Sequence, residues 1–423
     1  MTRSTQDVRS AAPRSRSPRG VPSPGATIIV ILSIVGLAVI AAGTLALGSG
    51  DLPFTPGGPG PGASGAVGPA KTATPSNVVI VPTEKPGIKV PGTLVYAKDG
   101  NVWLQSNGAA TQLTNGGTDS MPSFTPDGAS VLFVRTRSVR GFWPVNGVLA
   151  RYDMDVPSLM EVPVAGGNPT TILDGLVNPA GQRQWMGFIR QPRLSPDGRT
   201  IAIASDLPDP TKSDVTIKLV DAGTHRLTDP HINEVPPLGH QDPAWSPDGK
   251  QLLYVQDNRN GAQGTPQIYS WDPASKRTRA VTAPGYLHPS WSPDGRYIAA
   301  TRTSAYGTDV VILSAATGAE VARLTSDGAS WAPAWSPAGD EIAFLHVAGQ
   351  VVDLRMIQLT GTAPNWTVGD PVDLTSAAGL DGVSRPDWFV PLDQRPTPAA
   401  PPASPSSSGA ASPSAGPATA SPS

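Results

Sequence analysis

The sequence predicts an all-β chain whose folded core is a six-bladed β-propeller. Three observations carry that prediction. A short motif, Pro-x-(large apolar)-Ser/Thr-Pro-Asp/Ala-Gly, begins at Pro122, Pro192, Pro243, Pro289 and Pro333, and a truncated copy begins at Pro386. The starts are 70, 51, 46, 44 and 53 residues apart, the spacing of an array built from strand–turn–strand units. Finally, the two ends of the array are incomplete in complementary ways.

Each copy reads as a hairpin. Pro presets φ for the turn, Asp tolerates the next position and Gly takes the left-handed one. The large apolar residue before the turn (Trp245, Trp291, Trp335) and the alternating apolar residues after it lie on antiparallel strands. The copy at Pro289 continues through Asp309–Ser314 and Val321–Thr325, giving four strands, or one blade. A Leu-Thr ending recurs at Leu113-Thr114, Leu227-Thr228, Leu324-Thr325 and Leu374-Thr375, with Val281-Thr282 as a variant. These residues resemble the TolB-like propeller repeat, a relative of the WD-type repeats, over roughly 93–392. The resemblance implies a fold, since propellers host many unrelated activities. TolB is a periplasmic protein-interaction platform, but the part that precedes its propeller is replaced here by an apolar segment and a linker.

In chain order, residues 1–25 carry five Arg against one Asp and read as a disordered basic tail. Residues 26–47 hold no charge over 22 positions. As a helix they would span about 33 Å, enough to cross a bilayer. The flanking arginines orient the N-terminus to the cytoplasm. The competing reading is a cleaved signal peptide, whose apolar region is usually shorter, at about 7–15 residues. Residues 48–92 are a Pro/Gly-rich linker, in which Asn77–Pro82 is left without assignment. Thr93–Ala97, Asn101–Gln105 and Ala110–Thr114 read as the outer three strands of a blade that lacks its innermost one, which Pro386-Asp-Trp388-Phe supplies. Joining them closes the ring at six blades and removes the open edges. Insertions at 136–158 and 174–190 enlarge the connections around the first full blade; Trp143 and Trp185 there either recognise a partner or pack their own loops. Residues 393–423 are a disordered Pro/Ala/Ser tail.

Composition narrows the chemistry. A net charge of −2 gives no case for nucleic acid, and the absence of cysteine removes disulfides, thiol catalysis and thiolate metal sites. No Gly-x-Ser-x-Gly, phosphate-binding Gly-rich loop or His-Glu-x-x-His is present, and the five histidines are scattered. The motif Asp residues (Asp127, Asp197, Asp248, Asp294) read as turn formers, and Ala338 replaces them without loss of the pattern.

The central channel is where blades pool side chains. The residues just before each motif Pro are Met121, Gln191, Asp242, His288, Ala332 and Arg385, with Arg190, Gln241 and Trp331 beside them. Asp242, His288 and Arg385 are the candidate site for a small polar ligand, with Arg190, Trp331 and Trp185 nearby; a hydrated polar mouth is the alternative. No cofactor, catalytic residue or metal ligand is expected, although Asp242 would suit a hard channel cation such as calcium. The functional expectation is a monomeric propeller anchored in the cell membrane through 26–47. It would bind an envelope protein, polymer or small molecule outside the cytoplasm. The alternative is a hydrolase or lyase working at the channel mouth.

Overall fold

A computed structural model describes residues 80–82, 90–145, 148–178, 184–210, 212–232, 239–257 and 265–395. The basic tail, the apolar segment 26–47, most of the linker and the tail beyond 395 lie outside the described residues. Among the described residues no helix is long and apolar enough to cross a membrane.

Six antiparallel sheets form the blades of a propeller. The innermost strands are Asp387–Phe389, Asp119–Phe124, Arg190–Leu194, His240–Trp245, Tyr286–Trp291 and Ser330–Trp335, for blades one to six. Blade one is composite. Asp387–Phe389 from the C-terminal side pairs with Thr93–Lys98 in the register Leu94↔Trp388, followed by Asn101–Ser106 and Ala109–Gln112. A further strand, Ile80–Pro82, pairs outside Ala109–Gln112, within the stretch the sequence reading left without assignment. Closure is packed as well as hydrogen-bonded. Trp388, Leu94 and Trp103 of blade one share an apolar cluster with Trp331, Leu345 and Leu354 of blade six, and the Trp388 indole donates to the Pro91 carbonyl at 2.8 Å.

Two conserved positions of the repeat have local explanations. The motif Gly is left-handed in all five complete copies (φ 68–98°). In four of them the Asp carboxylate accepts from the Ser or Thr hydroxyl of the same turn at 2.5–2.7 Å and from a backbone N–H two residues on. These bonds hold all four carboxyls below their ordinary range. In the fifth copy, with Ala338, the Ser336 hydroxyl accepts from the Ala338 N–H instead. The Leu-Thr ending also has a use. The hydroxyls of Thr114, Thr282, Thr325 and Thr375 each accept the backbone N–H of a third-strand residue at 2.9–3.2 Å.

Two hairpins leave the ring at opposite ends. In blade two, Ser130–Val145 and Val148–Pro163 run on past Asp119, the start of the inner strand, so this hairpin projects at the end away from the motif turns. The insertion that the sequence presents as a loop is thus continuous paired strand. In blade six, Val351–Thr362 overruns its partner strand beyond Glu341 and turns back through Asn365–Val368, so it projects at the turn end.

Candidate functional site

Every complete innermost strand carries the same irregularity. Its register shifts around the residue before the motif Pro, and that residue is left-handed: Met121, Gln191, Asp242, His288 and Ala332 have φ of 52–55°. None of the five is β-branched, the class for which this conformation is most strained. A bulge of this kind leaves a backbone N–H without a ladder partner. Here the preceding blade supplies the acceptor. Met121 N–H is taken by Ser384 Oγ at 2.8 Å, Gln191 N–H by Met121 Sδ at 3.4 Å and Asp242 N–H by Gln191 Oε1 at 2.8 Å. His288 N–H is taken by Asp242 Oδ2 at 3.1 Å and Ala332 N–H by Thr301 Oγ1 at 2.9 Å.

The structure therefore brings Asp242, His288 and Arg385 together inside the ring rather than at an open mouth. Asp242 is fully buried. Its Oδ1 accepts from Gln191 Nε2 at 2.7 Å and lies 3.6 Å from Arg385 Nη1; its Oδ2 lies 3.7 Å from His288 Nε2. His288 Nδ1 is 3.0 Å from Thr301 Oγ1. Burial pushes the His288 imidazole down to about 4, against the pull of Asp242, so it is neutral at neutral pH. Burial also pushes the Arg385 guanidinium down to about 10, leaving it charged; its Nη2 donates to the Pro289 carbonyl at 2.6 Å. Both Asp242 oxygens are engaged from several sides, which fits an inter-blade lock.

The other expected residues lie elsewhere. Trp331 is buried between blades six and one, donating to the Gly382 carbonyl at 3.0 Å. Arg190 stacks over the Phe188 ring at 4.5 Å, and burial lowers it despite nearby Asp206. Trp185 sits on the short strand pair Leu176–Val177 and Trp185–Met186, with its ring 6.1 Å from Tyr152 of the blade-two hairpin. Among the described residues no group of three or more His, Asp or Glu is placed to hold a metal ion.

A wider feature lies at the turn end of the same strands. A depression of about 920 Å³ is lined by Trp245, Trp291, Trp335 and Trp366, by Phe124, Phe389 and Tyr297, and by the motif prolines. Arg193, Arg385 and Asp387 also line it. Arg385 thus spans the two regions. The indole N–H groups of Trp245, Trp291 and Trp335 are turned onto backbone carbonyls (Arg193, Ala244 and Gly339) at 3.1 Å, leaving their ring surfaces as wall. Trp366 arrives from the blade-six hairpin and packs edge-on against Tyr297 at 4.8 Å and Trp335 at 6.2 Å. Sequence reasoning took the motif Trp for strand packing alone. The signal was present, because a Trp at one offset in three successive blades must face one end of the ring. Trp366 carries no such signal, since it lies outside the repeat.

Comparison with known proteins fits this architecture. A family model described as the TolB beta propeller domain matches residues 180–369. The chain is similar to the crystal structure of TolB from Acinetobacter baumannii, with 18% identity, a TM-score of 0.50, and coverage of 70% of this chain and 66% of that one. It spans a little under two thirds of that protein's length. A structure assigned as TolB from Agrobacterium tumefaciens matches at 19% identity and a TM-score of 0.47, covering 72% of this chain and 95% of that one. A chain of a nidogen/laminin complex matches at 12% identity and a TM-score of 0.48, with 70% and 97% covered. No curated protein sequence matches. At these identities the structural likeness concerns fold. The family match and the repeat motifs agree that TolB-like β-propeller repeats build the folded part of the chain.

Proposed function

We propose that the chain is a non-catalytic binding module tethered to the cell membrane through residues 26–47, presenting its propeller outside the cytoplasm to an envelope component. The observation that carries the reading is the aromatic depression at the turn end, in a size range typical of ligand sites and walled by indole rings. Asp242 and His288, the pair an acid–base mechanism would use, are bonded into the ring, and His288 is too weak a base to take a proton near neutrality. Arg385 belongs to both regions and links ligand contact at the depression to the buried lock.

The test is capture of envelope components by the full chain and by a Trp291→Ala, Trp366→Ala variant that remains folded. The wild type should retain a component that the variant releases. Retention by both, or turnover of the captured material, would sink the reading. The membrane arrangement is checked by adding protease to spheroplasts, where the propeller should be digested and an N-terminal tag spared.

A further inference from the structure

We propose that the depression is a proline-rich-peptide site and that its resident occupant is the chain's own segment 396–406. This inference deepens the binding reading given above and rests on it.

The first argument is the chemistry of the wall. Proline-rich segments offer flat pyrrolidine rings and a run of carbonyl acceptors, and they lack N–H donors at each Pro. Aromatic-lined grooves that recognise them supply ring faces and hydrogen-bond donors. The depression presents the faces of Trp245 and Trp291. Two of its donors, the Trp366 indole N–H and the Tyr297 hydroxyl, have no acceptor among the described residues, and their rings lie 4.8 Å apart. A second argument is charge. Arg385 on the floor has Asp242 and Asp387 as neighbouring counter-charges, yet its Nε and Nη1 have no hydrogen-bond partner among the described residues, so the floor offers donors that neutral carbonyl acceptors can meet. Residues 396–423 contain no charged side chain at all.

The third argument is where the chain leaves the fold. After blade one closes, the short 3-10 turn Leu392–Gln394 leads to Arg395, and both Leu392 and Arg395 line the depression. Leu392 is 79% exposed there, an apolar side chain on the wall that no described residue covers. The next residues read Pro396-Thr-Pro398-Ala-Ala-Pro401-Pro402-Ala-Ser-Pro405, five prolines in ten positions. Such a segment favours an extended left-handed helix before it binds, at about 3.1 Å per residue, so eleven residues reach about 34 Å. A segment tethered at the rim acts at an effective concentration on the order of millimolar. It therefore holds the site against weak ligands and yields it to strong ones.

The absence of cysteine makes the test direct in the full chain. Ala400→Cys is labelled with bimane, which contact with an indole quenches, and compared with the same label at Ala418→Cys and at Gly60→Cys. Quenching is expected at 400 only. It should be relieved by Trp291→Phe with Trp366→Phe, and by added peptide of sequence 395–406 at about millimolar concentration. Equal emission at 400 and 418, quenching indifferent to the two tryptophans, or quenching at 60 instead would overturn the proposal. So would release of the label by an oligosaccharide but not by the peptide. If quenching is absent while envelope capture through Trp366 persists, the tail inference fails and the binding reading stands. Quenching in a chain that captures nothing supports the tail inference and removes the reading.

Discussion

The two halves of the innermost strands use the same residues of the repeat for opposite ends. Before the motif Pro, side chains of one blade capture a backbone N–H of the next, and the channel is filled by Gln191, Asp242, His288 and Arg385. After the Pro, the tryptophans turn their N–H groups onto carbonyls and leave ring faces around an open space. Polarity alone would have suggested the reverse, with charged residues as the site and tryptophans as the core. Bonding decides otherwise: Asp242 and Gln191, whose side-chain atoms are taken up by neighbouring blades, are structure, and an aromatic ring with an uncovered face is surface available to a ligand.

That contrast can be broken by mutation. The largest effect is expected at Asp242. Asp242→Ala removes the acceptor of His288 N–H and Gln191 Nε2 and the counter-charge of buried Arg385, and should cost about 3–5 kcal/mol in denaturant unfolding. A loss near zero would mean the channel is not a lock. Closure should matter about as much: Trp388→Ala should cost about 3–5 kcal/mol, whereas truncation after Arg395 should cost far less, since it removes only a weakly docked segment and no strand of the ring. Thr301→Val takes away the acceptor of Ala332 N–H and should cost about 1–3 kcal/mol. At the other half, Trp366→Ala removes two ring contacts worth about 0.5–1.5 kcal/mol each beyond buried area, yet it should abolish ligand capture. Should Asp242→Asn weaken capture while leaving stability intact, the assignment of roles to the two halves would have to be exchanged.

Acid–base behaviour sharpens the comparison. His288 is depressed from 6.5 to about 4 in the folded chain, so protonation favours unfolding. Its contribution is fully present above about pH 6.5 and is lost as pH falls through 4. The stability gap between wild type and His288→Gln should therefore shift in favour of the variant over that window, as read from urea titrations at several pH values. Glu341 shows the opposite sign. Burial and neighbouring Asp340 raise it to about 7, and its Oε2 has no hydrogen-bond partner. The cost of ionising it is absent below about 4.5 and complete above 7. Glu341→Gln should then stabilise slightly at pH 8 and have no such effect at pH 4.

Much of the ring was legible in the sequence because each blade repeats one turn. The starts at Pro122 to Pro386 gave the blade number, and the orphan strand around Trp388 gave the closure. Asp242, His288 and Arg385 could be placed together because equivalent positions of a ring must converge. What could not be read was their burial, since the side-chain bonds that fill the channel depend on which residue the neighbouring blade happens to offer. The blade-six hairpin escaped for a related reason: Trp366 belongs to no repeat position, and only its fold back over Tyr297 and Trp335 puts it beside the motif tryptophans. Ile80–Pro82 escaped because a three-residue outer strand has too short a pattern to stand out from a linker.

The left-handed bulge before each motif Pro has a consequence for how such a ring can change over generations. Each blade's unpaired N–H is met by a different atom: a serine hydroxyl, a thioether, an amide, a carboxylate, a threonine hydroxyl. The blades look interchangeable in sequence, but each is fitted to its predecessor. A duplication that copied blade four after blade six would set Asp242's N–H opposite Ala332, which has no side-chain acceptor to offer. The bulge thus gives the array a reading direction and a fixed order, so that lineages can substitute residues within a blade far more freely than they can shuffle the blades.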